Sequence, residues 1–185
     1  MPPPIISVSH FSSRLEITFS LSATFAPPRI ATNGRRNLYY IKDKATDSAA
    51  AKAKGFLSGM TGAGLDADGH ILETGETLED GIRAVQQLLA EGIRPDGILC
   101  GEDLTAAGVL KALIRAGIRV PEETAVVGYD NSTYARLCEP ELTSVDNKPE
   151  QVALLCVQLL QSRIEHGEDY SSVTLQPELV QRQSS

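Results

Sequence analysis

Short apolar runs alternate with amphipathic stretches from residue 38 onward, and this alternation limits the possible folds more than any other feature. Residues 96–100 and 124–129 have unbroken apolar centres, which is typical of strands buried on both faces. Between them, residues 103–116 carry apolar side chains at helical spacing, and Gly117 follows as a stop. Strands and helices that alternate in this way predict an α/β fold with a doubly wound parallel sheet and flanking helices.

The same alternation continues on both sides of this central unit. It predicts further helices at 47–60, 78–91 and 150–166, and short strands at 38–41, 70–73, 143–145, 173–175 and 179–180. The helix at 150–166 has apolar residues around much of its circumference, which is typical of a helix buried on two sides. Residues 1–33 are rich in proline and serine, and we predict an irregular or poorly ordered segment there, with one short strand at 15–19.

The composition predicts a soluble globular protein, with 42% hydrophobic and 22% charged residues. The net charge of −7 would repel a phosphate backbone, so we expect no general nucleic-acid binding by this chain. No apolar run reaches the length of a membrane span, and serines and threonines dilute the run at 17–26 too much for a secretory signal. We therefore expect a cytoplasmic protein that does not bind membranes.

The cysteines and histidines form no recognisable reactive motif. The three cysteines are widely spaced and make no C-x-x-C pair, and the three histidines lie far apart. The sequence contains no phosphate-binding loop and no nucleophile elbow. We predict reduced thiols, no metal site, no cofactor and no enzymatic activity.

Polar residues directly follow the two best-defined strands. Glu102 and Asp103 come after the first strand, and Asp130 and Asn131 come after the second. Because ligands bind beyond the carboxyl ends of parallel strands, we expect these four side chains at one edge of the sheet. Carboxylates and amides at such an edge can bind a hydroxyl-rich ligand. The spacing leaves an alternative open, in which Asp103 and either Asp130 or Asn131 only cap the helices that follow.

Several motifs in this part of the chain resemble the sensor domain of LacI/GalR transcriptional regulators. The most specific is Val-Pro-Glu-Glu-Thr-Ala-Val-Val-Gly-Tyr-Asp at 120–130, and the others are Arg-Pro-Asp-Gly-Ile-Leu-Cys-Gly-Glu-Asp at 94–103, Pro-Glu-Leu-Thr at 140–143 and Leu-Gln-Pro-Glu-Leu-Val at 175–180. The resemblance covers about residues 34–182. It implies a type I periplasmic-binding-protein-like fold, in which a ligand binds in a cleft between two subdomains.

The resemblance also implies how the chain is divided. Residues 34–142 would form most of the C-terminal subdomain, residues 143–170 a remnant of the N-terminal subdomain, and residues 171–182 the returning strands. No helix-turn-helix is visible, so DNA would be contacted only through a missing N-terminal domain, and the complete family architecture implies a homodimer. The sheet that would cover the helix at 150–166 is not visible upstream, which predicts an exposed apolar surface prone to association.

The resemblance implies ligand contacts at six positions. In the family an arginine contacts ligand at the position of Lys52, which keeps the charge but loses the bidentate fork. A common Asn-Asp pair and a frequent glutamine are also replaced here. The candidate ligand-binding residues are Lys52, Glu102, Asp103, Asp130, Asn131 and Asn147. The implied function is sensing of a small polar effector, sugar or nucleoside-like, by a transcriptional regulator, and the alternative is a sugar-binding protein of a transport system.

Overall fold

A hairpin and one main sheet make up the strands of the structure. The computed structural model describes residues 6–11, 14–19, 34–42, 46–166 and 175–185. The hairpin pairs β1 (Ile6–Phe11) with β2 (Arg14–Phe19) in antiparallel register. β2 coincides with the strand predicted at 15–19, whereas the sequence predicts no strand at β1. The rest of residues 1–33, and the predicted strand residues at 173–174, lie outside the described residues.

The main sheet contains six strands. They are β3 (Leu38–Lys42), β4 (Ile71–Glu73), β5 (Gly97–Cys100), β6 (Ala125–Tyr129), β7 (Thr143–Asp146) and β8 (Glu178–Val180). Their order across the sheet is β4-β3-β5-β6-β7-β8. The first five run parallel, and β8 pairs antiparallel with β7. The predicted parallel sheet is confirmed.

Helices connect most of the strands. The described residues form α1 (Asp47–Gly62), α2 (Leu78–Ala90), α3 (Asp103–Arg115), α4 (Thr133–Leu137) and α5 (Pro149–His166). Thr46 caps the N-terminus of α1, and its hydroxyl accepts a hydrogen bond from the Ala49 N–H. α2 begins with a capping box between Thr77 and Asp80. The sequence does not predict α4, because its five residues are too few to show a helical period.

The sheet is covered on both faces, as the prediction of a doubly wound fold requires. On one face, Phe56 and Met60 of α1 pack in a cluster with Leu99 of β5 and Val127 of β6. On the other face, residues of α2 and α3 pack in a cluster with Ile98 of β5. The central strands are therefore buried on both sides, which explains their unbroken apolar sequence.

α2 and α3 approach each other closely because each presents a glycine to the other. A Cβ atom on Gly81 would lie 2.1 Å from the Thr105 carbonyl oxygen. A Cβ atom on Gly108 would lie 2.0 Å from the Leu78 carbonyl oxygen. Both distances are far below van der Waals contact, so the two positions require glycine if the helices are to keep this spacing.

α5 leaves the sheet immediately after β7. β7 lies within the main sheet, between β6 and β8, and the implied division of the chain at residues 143–170 stays a prediction. The chain departs only after Asp146, where Lys148 has a φ of 56°. The predicted apolar surface of the helix is present, with exposed fractions from 56% at Leu160 to 75% at Ile164. Within the described residues, no helix is long and apolar enough to cross a membrane.

Candidate ligand-binding site

Three consecutive parallel strands of the main sheet are followed by polar residues. We call the side of the sheet where its parallel strands end the carboxyl edge, and the side where they begin the amino edge. β5 is followed by Glu102 and Asp103, β6 by Asp130 and Asn131, and β7 ends at Asp146. β5 pairs with β6 and β6 with β7, so their carboxyl ends lie side by side. We call the residues that connect β6 to α4 the 130–132 loop.

Asp103 lies beneath this loop and supports it. Its side chain is buried, with a residue exposure of 2%. Oδ1 accepts a hydrogen bond from the Ser144 hydroxyl at 2.6 Å, and Oδ2 accepts one from the Ser132 N–H at 2.6 Å. Burial raises the pKa of Asp103, and the hydrogen bonds from Ser144 and Ser132 oppose that rise. Asp103 therefore stabilises the start of α4, the helix after the next strand, rather than capping α3 as the alternative interpretation expects.

Gly128 of β6 leaves the space that Asp103 occupies. A Cβ atom at this position would lie 2.2 Å from Asp103 Oδ1 and 2.8 Å from the Leu142 side chain. The glycine before Tyr129 is thus required by the buried carboxylate next to it.

The 130–132 loop has an unusual backbone. Asp130 has a φ of 97° and Asn131 has a φ of 49°, so two consecutive residues other than glycine lie in the left-handed region. The Asp130 N–H donates to the Val145 carbonyl oxygen at 2.9 Å, and the Asn131 N–H donates to the Ser144 hydroxyl at 3.0 Å. β7 therefore holds the backbone of this loop in place.

Asn147 joins the 130–132 loop to the start of α5. Its Nδ2 donates to Asp130 Oδ1 at 3.1 Å. Its Oδ1 is buried and has no hydrogen-bond partner within the part of the chain that the structure describes. A buried acceptor without a partner is rare in proteins and calls for a donor from elsewhere.

Lys52 reaches the same edge from α1. The side chain is buried, and Nζ donates to the Gly101 carbonyl oxygen at 2.7 Å. Nζ also lies 4.3 Å from the centre of the Tyr129 ring, a distance typical of a cation–π contact. Glu102 precedes α3, and its Oε1 accepts from the Thr105 hydroxyl at 3.2 Å. The structure thus brings all six predicted positions to one edge, and their contact with a ligand stays a prediction.

Sequence reasoning missed three residues that shape this edge. Tyr129 lies under Lys52, and its burial and the nearby Asp130 raise the pKa of its hydroxyl. Ser144 links Asp103 to the Asn131 N–H. Arg182, which lies 51 residues further along the chain, donates a hydrogen bond to Asn131 Oδ1 at 2.5 Å. A polar residue in the middle of a short strand was the available signal for Ser144, whereas no local pattern points to Arg182.

The chemistry at this edge is that of polar recognition. Carboxylate and amide groups can accept hydrogen bonds, and Lys52 brings a single buried ammonium group. In the described ranges, no three histidine, cysteine, aspartate or glutamate side chains are close enough to hold a metal ion.

Comparison with known proteins identifies the class to which this fold and edge belong. Residues 29–185 match the family of periplasmic binding protein-like domains. The chain belongs to this family, and its resemblance to LacI/GalR regulators is confirmed by the relatives that follow.

The three relatives that follow are regulators of transcription. The HTH-type transcriptional repressor PurR of Erwinia tasmaniensis is 34% identical over 140 residues, which are 75% of this chain and 41% of the repressor. The structure of the transcriptional regulator CelR in complex with cellobiose is 30% identical, with a TM-score of 0.78, and the match covers 86% of this chain and 50% of that one. A LacI-type regulator from Bifidobacterium animalis subsp. lactis is 28% identical, with a TM-score of 0.77, over 89% of this chain and 64% of that one. The chain spans about half the length of the curated relatives it matches, or somewhat less.

Proposed function

We propose that the chain is the effector-sensing part of a cytoplasmic LacI-type transcriptional regulator. A small polar ligand, a sugar or a nucleoside-like molecule, binds against the carboxyl edge of the main sheet. The observation that carries this proposal is the pair formed by Asp130 and Asn147, in which the buried Asn147 Oδ1 atom has no hydrogen-bond partner among the described residues. A ligand hydroxyl or amino group placed there satisfies this acceptor.

The match to the family of periplasmic binding protein-like domains supports a simple mechanism for sensing. In the proposal the main sheet provides one wall of the ligand cleft, and α5 extends from it toward the second subdomain. A ligand that contacts both walls favours the closed arrangement over the open one, because only the closed arrangement gives it both sets of contacts. The regulator contacts DNA through a separate helix-turn-helix domain, and ligand binding changes the affinity of that domain for its operator.

The transport alternative is not favoured, because the relatives described above are regulators of transcription. One relative's structure is a complex with cellobiose, and other relatives are PurR repressors, so both sugars and purine compounds are suitable probes.

A thermal-shift screen tests the proposal. The chain is heated with cellobiose, glucose, ribose, adenine or adenosine, each in large excess. A ligand at 100 times its dissociation constant stabilises the folded state by about 2.7 kcal/mol, which raises the Tm by several degrees. We expect such a rise with at least one compound, and no rise with any of them contradicts the proposal.

A pair of variants locates the binding site. The variant Asp130→Asn removes the charge of a residue at the carboxyl edge and should abolish or strongly reduce the shift. The variant Asp66→Asn makes the same change in an exposed turn, where the carboxylate accepts only a local hydrogen bond from Asp68 N–H, and should leave the shift intact. Equal losses in both variants would contradict binding at Asp130.

A homodimer is the remaining element of the proposal. Ile114 of α3 and Tyr134 and Leu137 of α4 are exposed, and a cavity of about 330 Å³ lies between α3 and residues 138–139, which follow α4. Exposed apolar groups beside a cavity are typical of interaction surfaces. Sedimentation should show a dimer that Leu137→Glu weakens, and a wild-type chain that stays monomeric at high concentration would contradict this element.

A further inference from the structure

The conformation of the 130–132 loop depends on side chains from outside it. Asp130 and Asn131 both have positive φ, a region that residues other than glycine rarely adopt and that persists only when surrounding contacts impose it. The backbone N–H groups of the loop are bonded to β7 and to Asp103. These bonds fix where the loop lies, but they do not fix the side chain of Asn131.

Both ends of the Asn131 amide are held by charged groups. Its Nδ2 donates to Asp146 Oδ2 at 3.3 Å, and its Oδ1 accepts from Arg182 Nη2 at 2.5 Å. Both hydrogen bonds involve a charged group, and the bond from Arg182 is clearly the shorter of the two. Arg182 is therefore the principal partner of Asn131, the residue next to Asp130.

Arg182 is itself held rigidly. Its Nη1 donates to the Leu142 carbonyl oxygen at 2.7 Å, and its backbone N–H donates to the Thr143 hydroxyl at 2.9 Å. Nε lies 3.7 Å from Glu141 Oε2, and 11% of the arginine side chain is exposed. Arg182 also lies close enough to Asp103 to favour the charged form of that carboxylate. One planar guanidinium thus bonds both the residue before β7 and the 130–132 loop, and its charge acts on the buried carboxylate beneath the loop.

A purely structural role for Arg182 would be to attach the C-terminal segment, residues 181–185, to the sheet. Ser184 already does this. Its hydroxyl donates to the Val126 carbonyl oxygen at 2.6 Å and accepts from the Thr143 N–H at 2.8 Å, and its carbonyl oxygen accepts from the Val126 N–H at 2.8 Å. The attachment of the segment and the contact with Asn131 are therefore separate, and they can be tested separately.

We propose that Arg182 is a positioning residue for effector binding, which holds Asn131 in its left-handed conformation and thereby orients Asp130 toward the ligand. Since Arg182 follows β8, the loop is sensitive to the position of the strand that returns from α5. The ligand part of this inference rests on the proposed function, whereas the effect on the loop does not.

Amide hydrogen exchange of the full chain, measured by NMR without ligand, tests the effect on the loop. The variant Arg182→Lys keeps the charge but cannot bond Leu142 and Asn131 with one planar group. We expect exchange of the Asn131 and Ser132 amides to become about tenfold faster, as the loss of one charged hydrogen bond implies, and exchange of the Val126 amide to stay unchanged.

Two matched variants separate positioning from general stability. Arg35→Lys makes the same change at the opposite edge of the sheet, where the guanidinium bonds the carbonyl oxygens of Asp96 and Pro121, and should leave Asn131 exchange unchanged. Ser184→Ala should speed exchange at Val126 more than at Asn131. If Arg182→Lys leaves exchange at Asn131 unchanged, or speeds it no more than at Val126, the inference is wrong.

Titration with cellobiose, or with whichever compound of the thermal-shift screen binds, completes the test. We expect Arg182→Lys to raise the dissociation constant about tenfold, as one lost charged hydrogen bond implies, and Arg35→Lys to leave it unchanged. An unchanged dissociation constant in Arg182→Lys overturns the link to binding. A wild-type chain that binds none of the compounds contradicts the proposed function alone, because the exchange measurements still decide whether Arg182 holds the loop.

Discussion

The amino edge and the carboxyl edge of the main sheet, where the parallel strands begin and end, are both rich in hydrogen bonds. They differ in how many polar groups stay without a partner and in how strained their backbone is. At the amino edge, Arg35 donates to the carbonyl oxygens of Asp96 and Pro121. The Asp96 carboxylate accepts from the backbone N–H groups of Arg36 and Asn37 at 2.7 Å and 3.0 Å. These contacts pair side chains with backbone groups that begin the strands, and no residue other than glycine among those described at this edge has a positive φ.

The carboxyl edge has a different balance. All three residues other than glycine with positive φ in the described chain are here, namely Asp130, Asn131 and Lys148. In the part of the chain that the structure describes, the buried Oδ1 atom of Asn147 has no hydrogen-bond partner, and the carboxylate of Asp103 is buried beneath the 130–132 loop. Strained backbone and incomplete hydrogen bonding are costly in isolation, so their concentration at one edge is typical of a functional site. From this comparison we expect the amino edge to contribute stability and the carboxyl edge to contribute ligand recognition.

The largest expected effect is that of Asp103→Ala. This change leaves the Ser132 N–H and the Ser144 hydroxyl buried without an acceptor. We expect a loss of about 3 kcal/mol in the free energy of unfolding, which urea denaturation followed by circular dichroism measures. A loss below about 1 kcal/mol would show that the carboxyl edge does not depend on this carboxylate.

Arg35→Met removes the corresponding support at the amino edge. The hydrogen bonds of the Arg35 guanidinium connect the segment that leads into β3 to the segments that lead into β5 and β6. We expect a loss of about 2 kcal/mol in unfolding free energy. The affinity for the ligand, measured by calorimetry, should be unchanged. A weaker affinity would contradict the expectation that the amino edge contributes stability and not recognition.

Asn147→Ala and Asn37→Ala compare one amide at each edge. The Asn147 Oδ1 atom accepts no hydrogen bond from the described residues, whereas Asn37 Nδ2 donates to the Arg94 carbonyl oxygen at 2.7 Å. We expect Asn147→Ala to weaken ligand binding about tenfold with a stability change within about 0.5 kcal/mol, and Asn37→Ala to cost about 1 kcal/mol of stability without affecting binding. The reverse pattern in calorimetry and denaturation would contradict the comparison.

The smallest expected effect is a pH dependence caused by Asp103. Burial raises its pKa in the folded state, so the folded protein binds the proton more tightly than the unfolded chain does. This contribution to stability is complete below the unfolded pKa of 3.8 and is lost as the pH rises through the folded pKa. Relative to Asp103→Asn, the wild-type protein should therefore lose stability as the pH rises from about 4 to about 7. A relative gain over this range in denaturation experiments would contradict the shift.

The fold could be predicted because the spacing of apolar residues along the chain reflects which faces of each strand and helix are buried. Strands such as β5 and β6 are unbroken apolar runs since both of their faces are covered, and α3 shows one apolar stripe since only one side faces the sheet. α4 was not predictable, because a five-residue helix has no clear period. β1 was missed although its Ile-Ser-Val-Ser start alternates apolar and polar residues, because the prolines before it favoured an irregular segment.

The candidate site was only partly predictable for a related reason. Asp103, Asp130 and Asn131 directly follow strands, so topology places them at one edge. The direction of each side chain depends on contacts between distant parts of the chain. Asp103 turns inward to Ser144, 41 residues away, and Asn131 meets Arg182, 51 residues away. No local pattern reports such pairings.

An NMR titration tests the central claim most directly. The labelled chain is titrated with a compound that raises its Tm, and the change in each amide signal is followed. We expect the largest changes at Gly101, Asn131 and Asn147, and little change at Asn37, Asp96 and Thr124 of the amino edge. Changes centred on the amino edge, or signals that stay unchanged at saturating ligand, would contradict recognition at the carboxyl edge of this sheet.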